Sequence, residues 1–156
     1  MSHDIQSVRV VDLTKTDISV FDKNLADCVI LTHDRKLLLQ QRPVNWGRWG
    51  GCLNAFGGHV EEGETIMQAL IRELNEELGA QVLEEDVVNI GAVSEDWTGH
   101  KELVHVHFWQ DRNRTITGCY EGEAVHYGDV SEALKHPKIV DYTRWALHEC
   151  QNRGFL

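Results

Sequence analysis

The chain has 156 residues, 42% hydrophobic and 26% charged, which suits one soluble globular domain with an ordinary core. Its formal net charge of −10 argues against a general binder of the nucleic-acid backbone, which would need a basic surface. It leaves a nucleotide substrate open, because bound cations can invert the local field.

Cys28, Cys52, Cys119 and Cys150 lie far apart with no CxxC pair, so free thiols and a cytoplasmic setting are expected. No apolar run is long enough to span a membrane, and no signal peptide is read. Whether Met1-Ser2-His3 is native stays open.

In chain order, Val8–Leu13 is a short candidate strand. Thr14–Lys23 is polar loop, with an extended piece expected at Ile18–Phe21. Asp27–Thr32 is rich in β-branched residues and predicts a buried strand. His33–Lys36 turns the chain, and Leu37–Arg42 returns it as a hairpin, stopped by Pro43. Arg42, at the strand end, is either a surface ion-pair partner or a phosphate clamp. Trp46 and Trp49 lie among glycines, and either indole could plug a sandwich edge or stack on a nucleobase. We carry Arg42 and Trp49 as candidate substrate-binding residues.

Leu53–Phe56 then leads into a glycine-rich loop and a helix. Glu64 stands near the helix start, Ala69 and Leu70 inside it, and Gly79 just past its end, where a left-handed cap costs little. Glu73, Glu76 and Glu77 stand at i, i+3 and i+4, so their carboxylates share one face. Like charges so spaced cost about a few tenths of a kcal/mol per pair. A hard divalent cation would offset that repulsion, because Mg²⁺ and Mn²⁺ prefer oxygen ligands.

The segment Gly58 to Ala80 resembles the Nudix hydrolase signature. Gly58, Glu64, Arg72, Glu73, Leu74, Glu76, Glu77 and Gly79 fall on its specified positions. Ala80 departs, being smaller than the usual aliphatic residue, so looser packing is expected at the helix exit. The resemblance implies an α/β fold, an α/β/α sandwich with a mixed central sheet, over residues 1–156. It implies Mg²⁺, or Mn²⁺ in its place, on Glu73, Glu76, Glu77 and the Gly57 carbonyl. Arg72 is then expected to pair with Glu64 and hold the loop against the helix.

Beyond the signature, Val87–Val93 predicts a strand, and Leu103–Trp109 another. Alternation puts Leu103, His105, His107 and Trp109 on one face, and Val104, Val106 and Phe108 on the other. We expect the histidines on a partly buried polar face beside the substrate cleft, and not on zinc, since no third ligand follows at zinc spacing. Gly118–Gly122 is a loop. The resemblance to MutT-type members places a further glutamate there, as metal ligand or as water-activating base. Glu121 takes that place, Glu123 is the alternative, and Glu73 is a second candidate base. Ala124–Tyr127 predicts a strand, Asp129 or Ser131 caps a short helix, and Pro137 opens a last one over Ile139–Gln151.

What the resemblance implies is a pyrophosphohydrolase that cleaves a nucleoside diphosphate linked to X by water attack on phosphorus. Its partner would be a small nucleotide, with neither long nucleic acid nor membrane involved, and the oligomeric state stays open. Two alternatives remain: a non-catalytic nucleotide-binding module of the same fold, and an isoprenoid diphosphate isomerase using Cys52.

Overall fold

The structure, a computed structural model, describes residues 7–156, apart from the Trp97 side chain. Met1–His3 lie outside the described residues.

The strands are β1 (Val8–Val10), β2 (Lys23–Leu31), β3 (Leu37–Gln41), β4 (Leu53–Asn54) and β5 (Phe56–His59), then β6 (Val88–Glu95), β7 (Glu102–Gln110) and β8 (Glu123–Tyr127), most of them rich in aliphatic and β-branched residues. They make one mixed sheet in the order β1-β6-β7-β2-β3-β4, with β5 also on β2 and β8 also on β3. β2 and β7 pair in parallel; the other pairs are antiparallel.

β2 changes partner along its length. Ile30 and Leu31 pair with β3, whereas Leu25 to Cys28 pair with β5. That division brings Gly57 and Gly58 against the middle of the sheet.

Three helices cover the sheet: α1 (Ile66–Leu78), α2 (Val130–Leu134) and α3 (Asp141–Asn152). Leu70, Leu74 and Leu78 of α1 form one core with Cys28, Ile30 and Trp109. Trp145, Ala146 and Leu147 of α3 form the other with Val104, Val106 and Phe108. The alternation read on β7 therefore divides its side chains between two helical layers, giving the α/β/α sandwich.

Three local expectations change. Ile18–Val20 is a 3₁₀ turn and not extended, because the Asp17 side chain accepts the Ser19 N–H and caps it. Pro137 does not open the last helix. Leu53 N–H donates to the Lys138 carbonyl and Val140 N–H to that of Leu53, so residues 138–140 stay extended and α3 begins at Asp141. His105 and His107 are both buried and do not line the cleft; burial lowers both pKa values, and His105 Nε2 bonds to Asn24 Oδ1 at 3.0 Å.

Candidate active site

α1 is the platform of the site, and both its ends are fixed. At the N-terminus the Thr65 hydroxyl accepts the Gln68 N–H, and the Gln68 side chain accepts the Thr65 N–H. This reciprocal capping box satisfies two otherwise orphaned donors. At the C-terminus Gly79 adopts φ +66°, and a Cβ there would strike Thr117 Oγ1.

Arg72 ties the loop to the helix. Its Nε and Nη2 meet the two Glu64 oxygens at 2.7 and 2.9 Å, a bidentate pair. Nη2 also donates to the His59 carbonyl at 3.1 Å, and Nη1 to Glu73 at 2.9 Å and Glu76 at 3.3 Å. The Arg72 hydrogen bonds hold the Glu64 carboxyl down at about 2. Gly58 lets the Glu73 carboxylate lie against the loop, since a Cβ there would stand 2.5–2.7 Å from its three terminal atoms.

Glu77 is buried, and its Oε2 accepts the Gly57 N–H at 3.2 Å. Burial, then the charges of Glu121, Asp27 and Glu73, push its carboxyl up to about 10. Asp27 is also buried. Burial drives it up to about 7, although the Tyr142 hydroxyl donates to it. Two carboxyl groups that resist ionisation thus flank Gly57.

A cleft of about 610 Å³ gathers Gly57, Glu73, Glu76, Glu77, Glu121, Arg42 and Trp49. These are the residues expected to hold metal or substrate, drawn from β5, α1 and the segments that precede β4 and β8. Glu64 and Arg72 are outside the lining; Arg72 touches Glu73 and the His59 carbonyl. Arg42 lies 5.2 Å over the Trp46 ring, and Arg48 lies 5.5 Å over that of Trp49. Trp46 therefore supports the clamp candidate, while Trp49 faces the cleft. Glu123 is absent from the lining.

Sequence reasoning missed the rest of the lining. Lys23, Asp27, Asn54, Glu95, Glu102 and Tyr142 also line the cleft. Thr143 Oγ1 donates to Asn54 Oδ1 at 2.6 Å, and Glu95 Oε2 accepts the Tyr142 N–H at 3.2 Å at the start of α3. One signal was readable: Asp27 is a carboxylate inside an apolar strand, where charge needs a reason.

Among the described residues, no three His, Cys, Asp or Glu side chains already stand as a ready ligand cluster. The donor chemistry nonetheless fits a hard dication. The oxygens are carboxylates, and Glu77 is a buried acid pressed by three others, so its ionised form calls for a positive neighbour.

The Nudix domain family profile matches residues 22–146. The chain is 36% identical over 106 residues to an oxidized purine nucleoside triphosphate hydrolase of Danio rerio, covering 67% of this chain and 60% of that protein. It thus spans less than two thirds of that relative. It is 34% identical over 110 residues to the CTP pyrophosphohydrolase of Escherichia coli K12, covering 69% of this chain and 77% of that protein. The fold superposes on the crystal structure of a MutT protein from Methanosarcina mazei Go1 with a TM-score of 0.69. That match has 20% identity and covers 84% of this chain and 94% of that one.

Proposed function

The chain belongs to the Nudix family, and we propose that it is a pyrophosphohydrolase of a nucleoside triphosphate or a related nucleoside diphosphate linked to X. The carrying observation is Glu77: a buried carboxyl, crowded by Glu73, Asp27 and Glu121, on the wall of a nucleotide-sized cleft. The two relatives named for nucleoside triphosphates support the triphosphate over other diphosphate derivatives.

Glu73, Glu76, Glu77, Glu121 and the Gly57 carbonyl would hold Mg²⁺, or Mn²⁺ in its place. When bound there, such an ion would supply positive charge to neutralise and polarise the phosphate oxygens. Arg42 binds a phosphate oxygen at the mouth of the glycine loop. Arg72 keeps Glu73 oriented through the bridge it makes to Glu64. Glu121 takes the proton from the attacking water, with Glu73 as the other candidate base. The water adds to phosphorus as the phosphoanhydride bond breaks, giving a nucleoside monophosphate and pyrophosphate, or P-X. Trp49 offers a face on which the base can stack. Asn54, Asp27 and Tyr142 offer further hydrogen-bonding groups along the cleft.

The test is turnover across a nucleotide panel with phosphate or pyrophosphate release as readout, with and without a chelator. Turnover should need Mg²⁺ or Mn²⁺ and return when either is restored. Activity that survives exhaustive chelation would overturn the reading. Tight nucleotide binding with no turnover would point to a binding module instead.

A further inference from the structure

Gln40, on β3, is 3% exposed. A primary amide so buried is costly unless both its ends are paired. Both are, and they pair with two different parts of the cleft wall. Nε2 donates to the main-chain carbonyl of Glu121 at 2.9 Å, and Oε1 accepts from Arg42 Nη1 at 3.3 Å. A guanidinium only donates and a carbonyl only accepts, so the amide has one orientation.

The strand ladder does not hold Glu121. The β3–β8 pairing ends at Gln41 with Glu123, two residues short of it. Its carbonyl is held by the Gln40 side chain, with a weaker thiol contact from Cys119 at 3.3 Å. Gly122 allows the approach. A Cβ there would meet Gln40 Cγ at 3.0 Å and Nε2 at 3.2 Å, and its φ of +70° already favours glycine. Arg42 has a second feature: its Nε is buried with no hydrogen-bond partner among the described residues. Its position therefore leans on the contact with Gln40 and on the Trp46 ring.

We propose that Gln40 is a positioning residue that links the Arg42 guanidinium to the Glu121 main chain, so that the phosphate-binding group and the water-activating carboxylate keep one spacing. The proposal rests on the roles given above to Arg42 and Glu121. Strand pairing joins the two segments only as far as Gln41 and Glu123, and the Gln40 amide adds a direct contact to Arg42 and to the Glu121 carbonyl.

Gln40→Met keeps length and burial but neither donates nor accepts. Gln40→Glu keeps an acceptor for Arg42 and loses the donor to Glu121. The first readout needs no substrate. The ¹⁵N shift of the Gly122 amide reports on the peptide unit that contains the Glu121 carbonyl. Arg42→Met should move that signal in the parent and leave it unmoved in the Gln40→Met background. A shift of equal size in both backgrounds would overturn the link.

The second readout is single turnover on the best nucleotide of the panel. Each Gln40 variant should slow the chemical step about 10-fold with KM held within about twofold. Added to Glu121→Gln, Gln40→Met should cost less than about twofold more, because coupled residues are not additive. An equal loss in both backgrounds would mean that Gln40 only supports the fold. Full activity in Glu121→Gln with Gln40 intact would overturn the role of Glu121, and this inference with it. That result is distinct, because it is read without touching Gln40.

Discussion

Glu77 is held where its charged form is unwelcome, and that sets two expectations. Its carboxyl stands at about 10 in the fold against 4.5 unperturbed. As pH rises past the unperturbed value, the unfolded chain releases a proton that the folded chain keeps. Stability must therefore fall with rising pH, from about 4.5 towards 10. Glu77→Gln can still accept the Gly57 N–H and removes this term. In chelator its Tm should exceed the parent's at pH 8, with the gap closing towards pH 4.5; a parallel offset at every pH would refute the buried-acid reading. The same change should cost turnover about 10²-fold or more, since metal ligation needs the charge. Glu121 and Glu123 make the complementary comparison. Glu121 lines the cleft and Glu123 does not. In single turnover Glu121→Gln should lose about 10² to 10⁴-fold in the chemical step, and Glu123→Gln almost nothing. A loss confined to Glu123 would make Glu123 the base and remove Glu121 from that role.

At the scale of elements, α1 must be both anchored and closely approached. Thr65→Ala removes one half of the capping box and should cost about 1 kcal/mol, or about 2–4 °C in Tm, with kcat little changed. Gly58→Ala should do the reverse. Its Cβ would press on the Glu73 carboxylate, so activity should collapse while thermal unfolding shifts less than activity does. An active Gly58→Ala would show that Glu73 can move freely. This element was legible in advance because its constraints are local. Gly79, the three glutamates and Arg72 are fixed by helical spacing and by capping within one stretch. The two faces of β7 were legible for the same reason, from Val104, Val106 and Phe108. What sequence could not show was pairing across distance. Asp27 meets Tyr142 from 115 positions away, and Gln40 meets Glu121 from 81. Neither partner advertises the other. Pro137 misled because a helix start is its common use, whereas here the backbone after it is taken by Leu53. His105 and His107 misled because alternation assigns a face without saying whether that face meets a cleft or a helix.

The molecule as a whole carries −10 and concentrates acid in one place. Asp27, Glu73, Glu77, Glu95, Glu102 and Glu121, from three strands, α1 and a loop, share a cleft with Lys23 and Arg42 as its cations. A polyphosphate cannot enter such a field unaided, and the fold bears the same repulsion without substrate. A dication that relieves it should therefore stabilise the folded chain alone. Mg²⁺ at about 100 times its Kd would add about 2.7 kcal/mol, or roughly 5 °C or more in Tm. Its sign with pH is fixed by the acids it must displace. Glu77, at about 10, keeps a proton that a cation has to drive off. Binding should release protons and tighten as pH rises, so the Mg²⁺-induced shift in Tm should be larger at pH 8 than at pH 5. Glu77→Gln should lose most of it. NaCl at matched ionic strength is the control, because it screens surface charge without entering a ligand set. An equal shift from NaCl, or the same Mg²⁺ shift at both pH values, would mean that the acidic wall is only a charged surface. A shift that grows with pH and disappears with Glu77 would tie the charge of the whole molecule to one buried carboxylate.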